Sequence, residues 1–418
     1  MENNYAEKEA EFVTLFTRNG APFDYEKQLF NDHYLHVLST LIGASPPPYE
    51  REIQPTGRCN LHCGHCFGTA LTCERLPDKM GQAEMEVISK RIAEFNLSGL
   101  AVETVKFCGT TGEPLVNPNT VYGIKLFKDK GKKVILYTNG LWLNKTTDNG
   151  TEYMDFVLDA DKINLSLDAG SKDTFAALKG VDGFERTIEN LQRLARKRNA
   201  TKSRLRIDVS YVIGQLNYRE IFRAAKAVKA AGADNMVFRV DFVNPKSIKT
   251  ILAEIKKQKE QTLALKSPSF NVSFAYSDEE LDPESKKGSS AFYAQGKKCF
   301  NHNFWACVGP DCHLYTCGHR TYSGVQSFGN LLEHPLEELW HAKERLEKVK
   351  NLPDEKCKFC SPSCHRRDCL MNLLATIEPH EVQALHKKYV EKKGLAAQEA
   401  STPEVVPLAV PIPIVATQ

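Results

Sequence analysis

The sequence predicts an α/β protein whose core is a partial (β/α)6 barrel of parallel strands. From residue 51 to about 242, strand-like runs alternate with helix-like runs, the signature of parallel strands joined by helical crossovers. Six such strands are present, two short of the eight that close an ordinary (β/α) barrel. The strands also alternate in an informative sense. In "KINLSLD", Ile163, Leu165 and Leu167 share one face, and Asn164, Ser166 and Asp168 share the other. A helix-covered face must be apolar, so the polar face lines a concave interior that takes polar ligands.

The elements follow in order. Residues 1–50 read as a short helical lead-in ending in the stiff "SPPPYE" linker. Residues 51–242 hold the strands "REIQPT", "ETVKFC", "KKVILYT", "DKINLSL", "RLRIDVSYVI" and "NMVFRVDF". Helices are expected near 82–96, 119–130, 150–158, 184–198 and 217–231. Lys106 and Cys108, Arg206, Asp208 and Ser210, and Arg239 and Asp241 fall on the inward faces of their strands. Residues 243–298 are charged and irregular and read as a connector made of a helix and a loop. Residues 299–372 form a cysteine-rich module containing one amphipathic helix, "LEELWHAKERLEKV". Residues 373–418 add a C-terminal helix and a Pro-rich tail, expected to be disordered.

Composition narrows the function. The chain has 418 residues, a net charge of +3 and 42% hydrophobic residues. Near-balanced charge gives no case for nucleic acid as the main partner. No apolar run reaches the roughly 18 residues of a membrane span, and "MENNYAEKEAEF" is no secretory signal, so a cytoplasmic protein is expected. Thirteen cysteines then argue for metal rather than disulfides. All but Cys73 and Cys108 fall in three groups: Cys59, Cys63 and Cys66; Cys299, Cys307, Cys312 and Cys317; Cys357, Cys360, Cys364 and Cys369.

The first group lies in "GRCNLHCGHCFG", just after strand 1, at the end of the barrel where chemistry sits. Three soft thiolates leave one iron of a four-iron cluster open to a small molecule. Zinc is the alternative, with His62 or His65 as fourth ligand. The Cys-x3-Cys-x2-Cys stretch resembles the signature of the radical S-adenosylmethionine (SAM) superfamily. Three later segments resemble that family in the same order: "CGTTGEPL" at 108–115, with Thr111 in place of a glycine, "YTNG" at 137–140 and "LSLDAG" at 165–170. The resemblance implies an α/β partial TIM-like barrel with a [4Fe–4S] cluster on Cys59, Cys63 and Cys66. It implies SAM contacts from Thr111, Gly112, Glu113, Asn139, Ser166 and Asp168. The chemistry implied is reductive cleavage of SAM to a 5′-deoxyadenosyl radical that abstracts hydrogen from substrate, with a flavodoxin- or ferredoxin-type protein as electron donor.

The second and third cysteine groups, with Gly329, Asn330 and Trp340 between them, resemble the SPASM or shorter twitch extension of radical SAM enzymes. That implies at least one auxiliary [4Fe–4S] cluster. One assignment uses Cys299, Cys317, Cys357 and Cys360, with Cys364 and Cys369 as further candidates. The other puts Cys299, Cys317 and Cys369 with Cys307 or Cys312 on one cluster, and Cys357, Cys360 and Cys364 on a second. A zinc ribbon remains an alternative. Asp208, Arg239 and Asp241 are candidates for substrate contact or proton removal, set against a buried ion pair of Arg239 with either acid. A small polar substrate (sugar, aminocyclitol or nucleoside) undergoing dehydrogenation, deoxygenation or epimerisation is favoured. The alternatives are a maturase of a ribosomally made peptide and a non-enzymatic zinc-binding module.

Overall fold

The computed structural model describes residues 32–66, 68, 76, 79–97, 99–241, 248–276, 297–355, 357, 362–392 and 394. Its centre is a nine-stranded sheet. The six expected strands are present: β1 Glu50–Ile53, β2 Thr104–Phe107, β3 Lys133–Thr138, β4 Lys162–Ser166, β5 Arg206–Ile213 and β6 Asn235–Val240. Each pairs in parallel with the next, with Ile53 opposite Phe107, Leu136 opposite Ile163 and Val209 opposite Met236.

The sheet continues past both ends of that series. β7, Asn271–Phe274, adds in parallel to β6, and β8, Trp305–Val308, adds in parallel to β1 on the opposite edge. β9, Leu314–Tyr315, closes a hairpin on β8. The expected boundaries at 242 and 299 therefore cut through one sheet. "NVSF" and "WACV" are four residues each, too short to read as strands until the β6 and β1 edges recruit them.

The helices lie where the apolar faces demand them: α1 Tyr34–Leu41, α2 Gln82–Glu94, α3 Asn119–Asp129, α4 Tyr153–Val157, α5 Lys172–Lys179, α6 Phe184–Thr201, α7 Ile221–Ala230 and α8 Leu252–Leu263. Of these, α5 was not expected. Phe107, Ile163, Leu165, Ile207, Val209 and Phe238 are buried in one core with Ile88, Ile124, Phe127 and Leu194 of the helices. Gly123 lets α3 close on β2, since a Cβ there would sit 2.7 Å from the Phe107 ring. The opposite, inward face carries buried Glu52, Asn164, Asp208 and Ser210, as the alternation requires.

The C-terminal part brings α9 Leu336–His341, α10 Lys343–Lys350, α11 Pro362–Leu374 and α12 Pro379–Lys392. The single amphipathic helix expected over 336–349 is two helices, broken at Ala342, whose ψ of 132° is extended. The break follows from Trp340 and His341, which both donate to the 45–46 backbone: Trp340 Nε1 to Pro46 O at 3.0 Å, and His341 Nε2 to Ser45 O at 3.0 Å. Nor is residue stretch 32–50 a mere lead-in. α1 shares a second apolar core with Phe300 and Phe304 and with α11 and α12 through Met371, Leu374 and Leu385. The Pro-rich tail lies outside the described residues. Among those described, no helix is long and apolar enough to cross a membrane.

Candidate active site

Four segments meet at the C-terminal rim of the barrel, because each follows or ends a parallel strand: the cysteine loop after β1, 108–115 after β2, 138–140 after β3 and 166–168 after β4. The cysteine loop is held from several sides. Its His62 and Gly64 N–H groups donate to Lys179 O and Leu178 O at the end of α5, at 3.0 and 3.1 Å. The Arg58 carbonyl accepts from Glu113 N at 2.8 Å, and Asn60 Oδ1 accepts from Asn139 Nδ2 at 2.7 Å. His65 Nε2 sits 3.4 Å from Asp168 Oδ2. The His65 ring is thus tied to the loop's framework.

Cys59, Cys63 and Cys66 are half-buried in this frame. Burial pushes the Cys59 thiol up to about 11 and also raises Cys63, with the Lys179 ammonium pulling the latter back. Such thiols ionise when a metal takes the proton's place, which suits ligands better than free nucleophiles. Among the described residues no three His, Cys, Asp or Glu side chains already converge at metal-binding distance. The donor set nevertheless fits an iron–sulfur group: three soft ligands on one short loop.

The expected SAM-contact residues divide into two kinds. Glu113 is buried, and its carboxylate accepts from Thr138 Oγ1 at 2.5 Å, Asn139 N at 2.8 Å and Leu115 N at 3.1 Å. Burial raises its carboxyl, and those hydrogen bonds partly offset it. Asn139 is likewise occupied, its Oδ1 accepting from Leu141 N at 3.0 Å. Asp168 stands at φ 57°, ion-paired with buried Lys179, and its Oδ1 accepts from Val212 N at 2.7 Å. Burial alone would raise the Asp168 carboxyl, but Lys179 and His65 outweigh it and hold it well below the usual carboxylate range. These three side chains brace the rim. Thr111, Gly112 and Ser166 are placed differently. Gly112 passes so close to the backbone that follows β1 that a Cβ would meet Thr56 O at 2.1 Å. Ser166 is half-exposed, with Ser210 Oγ 3.5 Å away.

The expected catalytic trio is not a cluster. Asp208 lies third in β5, toward the end opposite the rim, and is neutralised by Lys162 at 2.7 Å and Arg206 at 2.8 Å. Arg239, the expected partner, lies beside the rim near the end of β6, and Asp241 follows it, its N–H bonded to Ile213 O. The interior charge that sequence reasoning passed over is on β1 and β2. Lys106 Nζ bridges Glu52 Oε2 at 3.0 Å and Glu50 Oε1 at 3.3 Å, and Gln54 Nε2 donates to Glu52 Oε1 at 2.9 Å. Despite burial, Lys106 holds the Glu52 carboxyl below its ordinary value, with Cys108 and Gln54 donating to it. The inward position of Lys106 was the available signal, but Glu52 had no motif around it.

A second cavity lies beside β8, lined by Cys299, Cys317, Cys357 and Cys364 together with Trp305, His319 and Arg320. Of the expected ligands, Cys299, Cys317 and Cys357 line it, and so does Cys364. Cys360 lies outside the described residues. Cys307 and Cys312 do not line this cavity. Cys307 faces the barrel interior, its Sγ 3.9 Å from Glu52 Oε1, and Cys312 packs in the apolar core at the hairpin turn. The second cluster assignment used one of them. Cys369 is carried on α11, half-buried.

Comparison with known proteins agrees with the rim geometry. The model of the radical SAM superfamily matches residues 53–228. An AdoMet-dependent heme synthase of Methanosarcina barkeri is 26% identical over 329 residues, which is 73% of this chain and 86% of that protein. The antilisterial bacteriocin subtilosin biosynthesis protein AlbA of Bacillus subtilis is 25% identical over 209 residues, 49% of this chain and 42% of that one. Among solved structures, Streptococcus suis SuiB bound to S-adenosylmethionine shares the fold, with a TM-score of 0.56 at 15% identity, covering 86% of this chain and 82% of that one. Members of the matched family bind a [4Fe–4S] cluster and SAM, and the matched span contains the three-cysteine loop and the other three rim segments. Residues 53–228 are a radical SAM domain, and the chain is an enzyme.

Proposed function

We propose that the enzyme abstracts hydrogen from a small polar molecule of the sugar, aminocyclitol or nucleoside kind, in a dehydrogenation, deoxygenation or epimerisation. The observation that carries this reading is the charged barrel interior, where Glu52, Lys106 and Gln54 present carboxylate, ammonium and amide below the cysteine loop. Such a wall suits hydroxyl- and amine-bearing substrates, which satisfy it with directed hydrogen bonds. The heme synthase relative, matched well beyond the 53–228 domain, acts by its name on a small molecule.

Cys59, Cys63 and Cys66 would hold the cluster. The cluster and SAM, when bound, supply the electron and the 5′-deoxyadenosyl radical that removes the substrate hydrogen. The chain's own part is positional. With Glu113, Asn139 and Asp168 engaged in bracing, SAM contact falls to the backbone at Thr111 and Gly112, suited to an ammonium, and to the Ser166 hydroxyl, suited to a ribose. Arg239 and Asp241 at the rim, with Lys106 and Glu52 deeper, are the groups placed to orient substrate or hold a proton. Asp208, neutralised by two cations, is not. The cavity of Cys299, Cys317, Cys357 and Cys364 is read as the site of an auxiliary [4Fe–4S] cluster in a SPASM- or twitch-like module.

The AlbA match favours a second reading, a peptide substrate. One experiment separates the two. The reconstituted enzyme is incubated anaerobically with SAM, a reductant and deuterated candidates of both classes. Deuterium in 5′-deoxyadenosine from the small molecules is the expected result, and transfer from peptides alone would overturn the proposal.

A further inference from the structure

Arg320 occupies an unusual place. It ends the short turn Gly318–Arg320 directly after Cys317 and is buried. Its Nη1 donates to Cys357 Sγ at 3.1 Å, and its Nη2 donates to Asp354 Oδ2 at 3.0 Å. Cys357 is a thiol here; as a cluster ligand it would be a thiolate, a stronger acceptor for the same N–H. Among the described residues, Arg320 Nε is buried without a hydrogen-bond partner, the state of a donor waiting for an acceptor. Among the described residues, Arg320 is the one Arg or Lys lining the cavity of Cys299, Cys317, Cys357 and Cys364. Its charge is not consumed by its carboxylate partner, because Lys348 Nζ also reaches Asp354 Oδ2, at 3.1 Å. One carboxylate thus faces two cations, leaving net positive charge at the wall.

We propose that Arg320 is a positioning residue that sets the reduction potential of the auxiliary cluster, by donating to the Cys357 sulfur and placing a buried cation beside it. The inference rests on the auxiliary-cluster reading above. Adding one electron to a thiolate-ligated four-iron cluster adds one negative charge. A cation and an N–H donor at a ligand sulfur stabilise that reduced form and raise the potential. Asp354 holds the guanidinium plane in a two-pronged grip, so the donor keeps its direction.

The test uses the full chain with Cys59, Cys63 and Cys66 all changed to alanine, so that only the auxiliary cluster remains to be titrated. In this background Arg320→Lys is compared with Arg320→Met, in which Asp354 keeps Lys348 as its cationic partner. The readouts are iron per chain and the midpoint of a dithionite titration followed by electron paramagnetic resonance. Both variants are expected to keep the background's iron. The reduction equilibrium of Arg320→Met should fall about tenfold, a drop of about 59 mV for a one-electron couple, with a smaller drop for Arg320→Lys. An unchanged midpoint with iron retained overturns the proposal. So does loss of iron from Arg320→Lys, which would make the residue a structural prop. A background protein that holds no iron removes the auxiliary-cluster reading itself, and the inference falls with it.

Discussion

Gly112 shows how little room the rim leaves at the scale of one residue. Its Cβ position is taken by the Thr56 carbonyl, so Gly112→Ala must push the 108–115 turn away from the cysteine loop. The expected result is reduced iron retention at the Cys59–Cys63–Cys66 site and a lower unfolding midpoint, read by iron assay and thermal melts. The buried Asp168–Lys179 pair offers a second test. Removing one partner of such a pair typically costs about 3–5 kcal/mol, so Lys179→Met should lower stability by about that much in denaturant titration. The pH dependence follows from the direction of the shift. The folded-state Asp168 carboxyl is depressed, so the pair's contribution is complete above the unfolded value near about pH 4 and is lost as pH falls toward the folded one. Without Lys179 the burial effect dominates, and this acid-side loss should shrink or reverse.

Among the elements, α9 and α10 are the clearest case of packing overriding pattern. Trp340 is fully buried, with Arg345 over its ring at 3.4 Å and Arg51 of β1 at 5.1 Å. Arg345 Nη1 also donates to Trp340 O at 2.8 Å, across the break at Ala342. Trp340 therefore joins the 45–46 linker, β1 and the C-terminal helices at one point. Trp340→Ala should cost about 3–5 kcal/mol and should loosen the β1–β8 edge. Hydrogen exchange at the amides of 305–308 checks this, with faster exchange expected in the variant.

For the whole molecule, β8 joins the two cysteine centres into one structure. It pairs with β1, which feeds the rim loop, and it borders the cavity lined by Trp305. Two four-iron groups would bring about eight irons per chain. Replacing Cys59, Cys63 and Cys66 by alanine should leave about four and abolish SAM cleavage. Loss of all iron would mean that the second cavity holds no cluster of its own.

Six parallel strands, their inward polar faces and the three-cysteine loop were legible in the sequence, because each rests on local periodicity or spacing. Ile163 and Leu165 could face only the helices, and Cys59, Cys63 and Cys66 stand within one short loop. The tertiary structure decided what depends on partners distant in the chain. It recruited "NVSF" and "WACV" to the sheet edges, since a four-residue strand is defined by the edge that bonds it. It turned Cys307 toward Glu52 and brought Cys364 to the cavity. It also engaged Glu113 and Asp168 as braces of the loop, because a buried carboxylate must take whatever donors and cations the fold sets beside it.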